Sequence, residues 1–579
     1  MKPKSSPCEK AEHKEGTMKF TEMRYVRPDM DRVLADFDKV AEEIADAKSA
    51  AAQIAAYERA DTLREHFSTA ASLACVRYTI DTRDAFYAAE NDFMDAATPL
   101  VEEKIQNISK EMLSSPYRKE LEAHFGALFF RKLEISARTF KPEIIALMQE
   151  ENALVSEYQA LDASMTVEFD GKTLPLTKLI PYMKSTDRAT RRAAYTVEGE
   201  CYDSHREALD SLFDKLVRNR TAQARALGYE NYIGLGYDRL GRNCYDSRDV
   251  AAFRSQIATD FVPVVEKIKQ IQEKRIGVEH LKLYDDAFMF PDGNARPHGT
   301  SEEILAAGRR MYHALSPETA EFIDFMCENE LFDLLAKEGK ASGGYCTEFA
   351  DYQAPFIFSN FNGTSGDVDV LTHEAGHAFA FYRAARHVKL SDFHSPTMEA
   401  CECHSMSMEF LTAPYHALFF GDDTEKYELS HCEDSAIFIP YGCMVDEFQH
   451  RMYEEPSLSP EERNAVWLSL EKKYRPYLDF DGLPFYSRGA GWQRQEHIYM
   501  NPFYYIDYCM AQTVAFQFWF ASLADRQAAW KNYLSFVDKA GTKTFQELVA
   551  EAGLKLPYEA GAMKEIGERL VEWITEHQL

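Results

Sequence analysis

Apolar residues recur at helical spacing over most of this chain. Residues 29–160 are rich in Ala, Glu, Leu and Lys, with the clearest periodicity over 30–60 and 100–112, and predict a set of long antiparallel helices. The helical pattern resumes over 185–226 and ends near Leu227-Gly228. It returns over 461–474, 544–552 and 560–577. Strand patterns are few. Residues 167–174 read as a hairpin around Asp170-Gly171. Residues 354–361 read as a short strand from their Phe and Ile content. Pro355 near its start predicts a sheet edge, because proline cannot donate to a ladder. Gly343-Gly344 and Asp351-Tyr352 punctuate a meander ahead of it, and 290–299, rich in Gly, Pro and Asn, is a loop. The pattern predicts a mainly α protein with a small sheet and no repeats. An N-terminal helical region, 18–184, and a second region, 185–579, are expected to form one unit.

One short stretch carries chemistry. His373-Glu374-Ala375-Gly376-His377 matches H-E-x-x-H inside a segment, 371–382, that reads as helix. Positions i and i+4 share a helical face, so two imidazoles can bind one ion. Glu374 beside them can hold a water and take its proton. Asn362-Gly363-Thr364-Ser365-Gly366 is a turn ahead of the motif. Thr364 and Asp367 are spaced as a capping box with Asp in place of Glu, and Asp367 and Asp369 suit the first turn. Val370, Leu371, Ala378, Phe379 and Phe381 flank the motif, which argues against two solvated surface histidines.

Catalytic zinc takes three protein ligands and keeps one position open. The continuation H-E-x-x-H-x-x-G-x-x-H is excluded, since Ala380 and Arg383 stand at the last two positions. His387 reads as a surface residue near the helix end. A Glu from a second helix is the other route. Glu399, Glu402 and Glu409 line roughly one face of 396–410, interleaved with Met and Cys instead of Lys. Either Glu399 or Glu402 satisfies the spacing. Cys401 and Cys403 flank Glu402 but point off its face.

The residues Leu371-Thr372-His373-Glu374-Ala375-Gly376-His377-Ala378-Phe379 and Glu402-Cys403-His404-Ser405-Met406-Ser407-Met408-Glu409-Phe410 resemble the oligoendopeptidase F family, relatives of thimet oligopeptidase and neurolysin, and within it the Pz-peptidase-like branch. The resemblance covers most of the chain from Met18 and is loose over the N-terminal third. It implies a third zinc ligand about 29 residues after the first His and another Glu seven further on, which are Glu402 and Glu409. Glu399 is the runner-up and, with Glu409, is expected in the layer that supports the ligands. The family's Gly loop, His and tyrosine cluster match 489–508 at His497, Tyr499, Tyr504, Tyr505 and Tyr508. His497 with Tyr505 or Tyr508 is expected to stabilise an oxyanion; Tyr499 and Tyr504 are expected to meet the peptide. The strand 354–361 is expected to pair with the peptide through its edge, with Phe356, Phe358, Ser359 and Asn360 as contacts. The implied fold is a two-lobed helical zinc metallopeptidase with a small sheet beside the active-site helix and a deep substrate channel. The implied activity is cleavage of internal bonds of short peptides with one Zn2+, with 185–579 as the catalytic region.

Composition narrows the alternatives. A net charge of −29 disfavours nucleic acid and anionic membrane surfaces. No run of 18 apolar residues predicts a membrane span. Residues 1–17 are short, polar and mixed in charge and are expected to be a disordered extension, with Met18 as an alternative start. The 11 cysteines are scattered and odd in number, which suits a reducing cytoplasm. Nothing in the sequence sets an oligomeric state. An exopeptidase needs a fixed charged partner for a peptide terminus, and none is identifiable. A peptide-binding or metal-storing protein needs no base, yet Glu374 is present.

Overall fold

The hairpin forms where alternation predicts it. The computed structural model describes residues 18–579 apart from 338 and 342, so the extension expected at 1–17 lies outside the described residues. Strands β1 (Thr166–Phe169) and β2 (Lys172–Pro175) pair antiparallel, with Asp170 at φ 53° and Gly171 at φ 71°. Two successive positive φ values match the twist of the flanking strands.

Helices dominate the rest. The periodic stretch 30–60 divides into Met30–Asp46 and Ala50–Ile80 because Ser49 turns the chain, its Oγ accepting from Ala52 N–H at 3.3 Å. The stretch 185–226 divides at His205 into Arg188–Ser204 and Arg206–Leu227, and Gly228 ends it in the left-handed region at φ 95°. Among the described residues there are two hydrophobic cores. One, built on Phe37, Tyr57, Met94, Val101, Phe129 and Phe130, unites the N-terminal helices and receives Leu390 and Phe393 from the second region. The larger core surrounds the helices Gly366–His387, Met398–Leu411, Thr424–Glu454 and Tyr505–Ala524.

A three-stranded sheet lies against the helix Gly366–His387. Its order is β3 (Phe332–Leu335), β5 (Ala354–Phe361), β4 (Tyr345–Phe349), with β3 parallel and β4 antiparallel to β5. The strand 354–361 is therefore central, which corrects the edge assignment drawn from Pro355. Pro355 pairs with Glu348 of β4, but pairing with β3 begins only at Ile357. At Pro355 the central strand has one neighbour, so its missing N–H costs no ladder bond. The edge beside the helix is β4.

The helix Gly366–His387 opens differently from the capping box expected of Thr364 and Asp367. Its N-cap is Ser365, which makes no side-chain cap. Asp367 instead reaches back to accept from Asn362 N–H and Gly363 N–H, both at 2.8 Å, and so clamps the preceding turn.

Candidate active site

Gly376 decides how the two site helices meet. A Cβ there would lie 2.6 Å from Ser405 Cα and 2.8 Å from His404 O, closer than any side chain tolerates. Only glycine lets the helix Met398–Leu411 approach this near. The approach carries Glu402 up to the histidine face. Glu402 Oε2 lies 3.3 Å from His373 Nε2 and 3.4 Å from His377 Nε2. A tetrahedral zinc ion with bonds of about 2.0–2.1 Å holds its ligands about 3.3–3.4 Å apart. The three donor atoms, all within 4.8 Å of one another, thus fit one such ion.

The donors are held from behind. Glu402 Oε2 also accepts from Ser405 Oγ at 2.9 Å, and Oε1 accepts from the Tyr504 hydroxyl at 2.5 Å. His373 Nδ1 bonds Glu409 Oε1 at 2.7 Å, which orients the ring and leaves Nε2 as the donor. The other oxygen of Glu409 lies 2.8 Å from His431 Nε2. Burial pushes Glu409 up, but its bonds to His373 and His431 outweigh that and hold it down at about 2. Glu374 is 8 % exposed, and burial pushes its carboxyl above the ordinary value while the two imidazoles pull it back. A carboxylate so raised is a better proton acceptor than an exposed one.

Glu399 faces elsewhere. It is fully buried, with Oε1 accepting from the Thr397 hydroxyl at 2.5 Å, and feels the charge of Arg242 and a hydrogen bond from Tyr245. Its place beside the ligands is corrected: three residues before Glu402 falls about 60° short of a full turn, which rotates it to the flank of the helix, toward Arg242 and Tyr245 and off the cleft. Cys403 is buried in the core, whereas Cys401 lines the cleft without joining the donor group. His387 is exposed at the end of its helix.

Across the cleft stand His497 and the tyrosines. Gln495 Nε2 donates to His497 Nδ1 at 2.9 Å, while the Tyr441 hydroxyl donates to Gln495 Oε1 at 2.9 Å. That chain leaves the ring proton on Nε2. Burial pushes the imidazole down to about 4, against the opposing Glu402 charge, so it stays a neutral donor at neutral pH. Its ring lies 4.9 Å from that of Tyr505 and 5.9 Å from that of Tyr508. Two cavities flank this group. One, about 340 Å³, is lined by His373, Glu374, His377 and Glu402 together with β4; the other, about 370 Å³, by His497, Tyr505 and Gln512. Tyr508 lines both. Tyr499 does not reach either. It is fully buried, stacked 4.1 Å from Tyr158 and 5.8 Å from Trp492, so its expected peptide contact is corrected to core packing. Tyr504 lines the first cavity, but its hydroxyl is engaged with Glu402.

The strand residues also change place. Phe356 and Phe358 are fully buried and Ser359 is 3 % exposed, because β5 is central. Phe356 packs on Phe20, and Phe358 stacks on Tyr345 at 4.8 Å. Asn360 Nδ2 donates to Ala341 O and Gly343 O, both at 2.8 Å, tying down the loop that leads into β4. The cleft is lined instead by Gly344, Tyr345, Cys346, Thr347 and Glu348. Four participants escape a reading of the sequence: His431, Gln495, Tyr441 and β4. Only Gly343-Gly344 gives a local signal, marking where a strand starts.

Two histidines and a glutamate spaced to hold one ion, with a buried carboxylate beside them, form the donor set of a metallohydrolase. Comparison with known proteins narrows the class. Residues 181–568 match the model of peptidase family M3, and residues 20–140 match the peptidase M3 N-terminal domain. A solved structure of Pz peptidase A with an inhibitor superposes with a TM-score of 0.94 at 45% identity, covering 97% of this chain and 100% of the other. Group B oligopeptidase PepB of Streptococcus agalactiae is 22% identical over 80% of this chain and 77% of its own. The chromosomal oligoendopeptidase F of Lactococcus lactis subsp. cremoris is 24% identical over 67% and 64%. The chain belongs to peptidase family M3. It is a metallo-oligopeptidase that hydrolyses peptide bonds. Among the described residues no helix is long and apolar enough to cross a membrane.

Proposed function

We propose that this peptidase is a zinc endopeptidase that cuts internal bonds of short peptides, with His373, His377 and Glu402 as the ligands of a single ion. The observation that carries this is the spacing of 3.3 and 3.4 Å between Glu402 Oε2 and the two imidazole nitrogens, with Glu374 buried beside them. When bound, zinc supplies Lewis acidity, bringing the pKa of water toward about 7 and polarising the scissile carbonyl. Glu374 takes the proton of the attacking water and then delivers it to the leaving amine. The Nε2–H of His497 and the hydroxyl of Tyr508 donate to the oxygen that gains charge, with Tyr505 holding the His497 ring. The free edge of β4 pairs with the extended peptide through main-chain bonds, which favours no particular sequence. Neither nucleic acid nor membrane suits a surface of this charge, and the ten described cysteines, none in a disulfide, suit the cytoplasm.

Two measurements test the assignment. Glu402→Ala should strip zinc from the folded protein, while Glu399→Ala should keep it; the reverse would put the ligand one turn earlier. Internally quenched peptides blocked at both ends should be cut, whereas an exopeptidase leaves them intact.

A further inference from the structure

Strand β4 starts beside the base and carries an unpaired acid away from it. A Cβ on Gly344 would lie 3.9 Å from Glu374 Oε1. Strand side chains alternate, so Gly344, Cys346 and Glu348 share the face toward the helix Gly366–His387, while Tyr345 and Phe349 face Thr79 and Phe20. Glu348 stands about 13 Å along the strand from Gly344, at about 3.3 Å per residue. It lines the same cavity as His373 and Glu374.

No described side chain bonds or ion-pairs with Glu348. What approaches it is Glu65, from the helix Ala50–Ile80. Burial, then this second carboxylate, pushes Glu348 up to about 7. The cations of the adjoining segments are engaged elsewhere. Arg64 pairs with Asp61 and Asp392, His66 with Asp351, and Lys132 donates to Asp392 O. A further acceptor lies in the same cavity wall. His394, 7 % exposed, donates from Nε2 to Val388 O at 3.0 Å, and its buried Nδ1 has no partner.

We propose that Glu348, backed by Glu65 and His394, forms a specificity subsite for a basic side chain of the peptide, Lys or Arg, at one fixed distance from the cut bond. The inference rests on the peptidase reading above and on a peptide lying along β4. A peptide strand added to β4 sets one side chain directly opposite Glu348 and on its face, at cross-strand contact distance. Cations fit this position, since Glu348 is a carboxylate that no described cation pairs with, and a second carboxylate, Glu65, approaches it. Like charges facing each other are unfavourable, and an ammonium or guanidinium between Glu348 and Glu65 relieves both.

The test is a set of internally quenched peptides sharing one scissile bond, with Lys, norleucine or Glu placed at each flanking position in turn. The wild-type enzyme should prefer Lys over norleucine about ten-fold in kcat/KM, at one position only. Glu348→Gln should bring that ratio close to one, and Glu348→Lys should reverse it in favour of Glu. If the Glu348 variants do not fold, as judged by thermal melting, Glu65→Gln should still lower the ratio about three-fold. A ratio near one at every position in the wild type overturns the subsite while leaving the peptidase intact, and so does an unchanged ratio in Glu348→Gln. Failure of the wild type to cut any of the peptides overturns the peptidase reading itself.

Discussion

The two walls of the cleft hold their chemistry in different ways. The metal wall is made of regular structure. Its histidines sit one helical turn apart on Gly366–His387, its glutamate on a second helix pressed against Gly376, and its supports, Ser405 and Glu409, on that second helix again. The opposite wall is assembled through turns that lead into the helix Tyr505–Ala524. His497 belongs to the five-residue helix Glu496–Met500, and the chain reaches Tyr508 through Phe503, a non-glycine residue at φ 69°. That conformation is strained and persists only if its surroundings insist on it. They do: Arg242 Nη2 donates to Phe503 O at 2.6 Å and to Asp507 Oδ1 at 2.7 Å, and Gln449 Oε1 accepts from Phe503 N–H at 2.7 Å. Periodicity positions the ion, and tertiary contacts position the donors that face it. Damage to the first wall should therefore register as lost metal, and damage to the second as lost turnover with metal intact.

The largest effect should come from Glu374, the residue of the metal wall that neither binds the ion nor supports a ligand. Glu374→Gln removes the proton acceptor but leaves His373, His377 and Glu402 in place. Turnover should fall by about 10²–10⁴-fold with zinc content unchanged by elemental analysis. Loss of zinc in parallel would mean that Glu374 binds the ion and that the division between ligands and base is misplaced.

Next come the donors of the opposite wall. His497→Ala and Tyr508→Phe should each lower kcat by about 10²–10³-fold, with little change in KM or zinc content. Their hydrogen bonds strengthen only as the oxygen gains charge, so substrate binding does not depend on them. Near-normal kcat in both variants would reduce this wall to packing.

A smaller effect should separate ligands from their supports. Glu409→Gln keeps the shape of the side chain but not the charge that His373 and His431 share. Zinc affinity should weaken by about 10–100-fold in a chelator competition, with kcat of the fully loaded enzyme close to wild type. An unchanged affinity would show that the helix alone orients His373.

The same division explains how much could be read from the residues in order. The helix with His373 and His377, the hairpin at Asp170-Gly171 and the helical regions obey local rules, and local rules are visible in sequence. Choosing Glu402 over Glu399 needed the family resemblance, because helical spacing allows both. What separates them is the close approach of Gly376 to Ser405, a contact between segments. Pro355 marked an edge correctly in one sense, since β5 has a single neighbour there, but two residues later β3 joins and the strand becomes central. Tyr499 and Tyr504 lie five residues apart, one stacked on Tyr158 in the core and the other bonded to Glu402, and nothing local to either distinguishes them.

The smallest effect concerns the residue that spans both walls. Tyr504 opens the segment that carries Tyr508, yet its hydroxyl donates across the cleft to Glu402 Oε1 at 2.5 Å. That bond holds a ligand carboxylate in a fixed rotamer, a task Ser405 Oγ shares through the other oxygen. Tyr504→Phe removes one of two supports, so zinc affinity should weaken by about ten-fold, the lower end of what such outer contacts contribute. The loaded enzyme should retain most of its kcat, in contrast to Tyr508→Phe. The two tyrosines are neighbours, with ring centroids 4.8 Å apart, so either hydroxyl is a candidate for the other's role. Measuring zinc affinity and kcat separately for both variants decides the matter. If Tyr504→Phe loses turnover at full zinc occupancy while Tyr508→Phe does not, the oxyanion donor is Tyr504, and the hydroxyl now resting on Glu402 is the one that swings to the substrate.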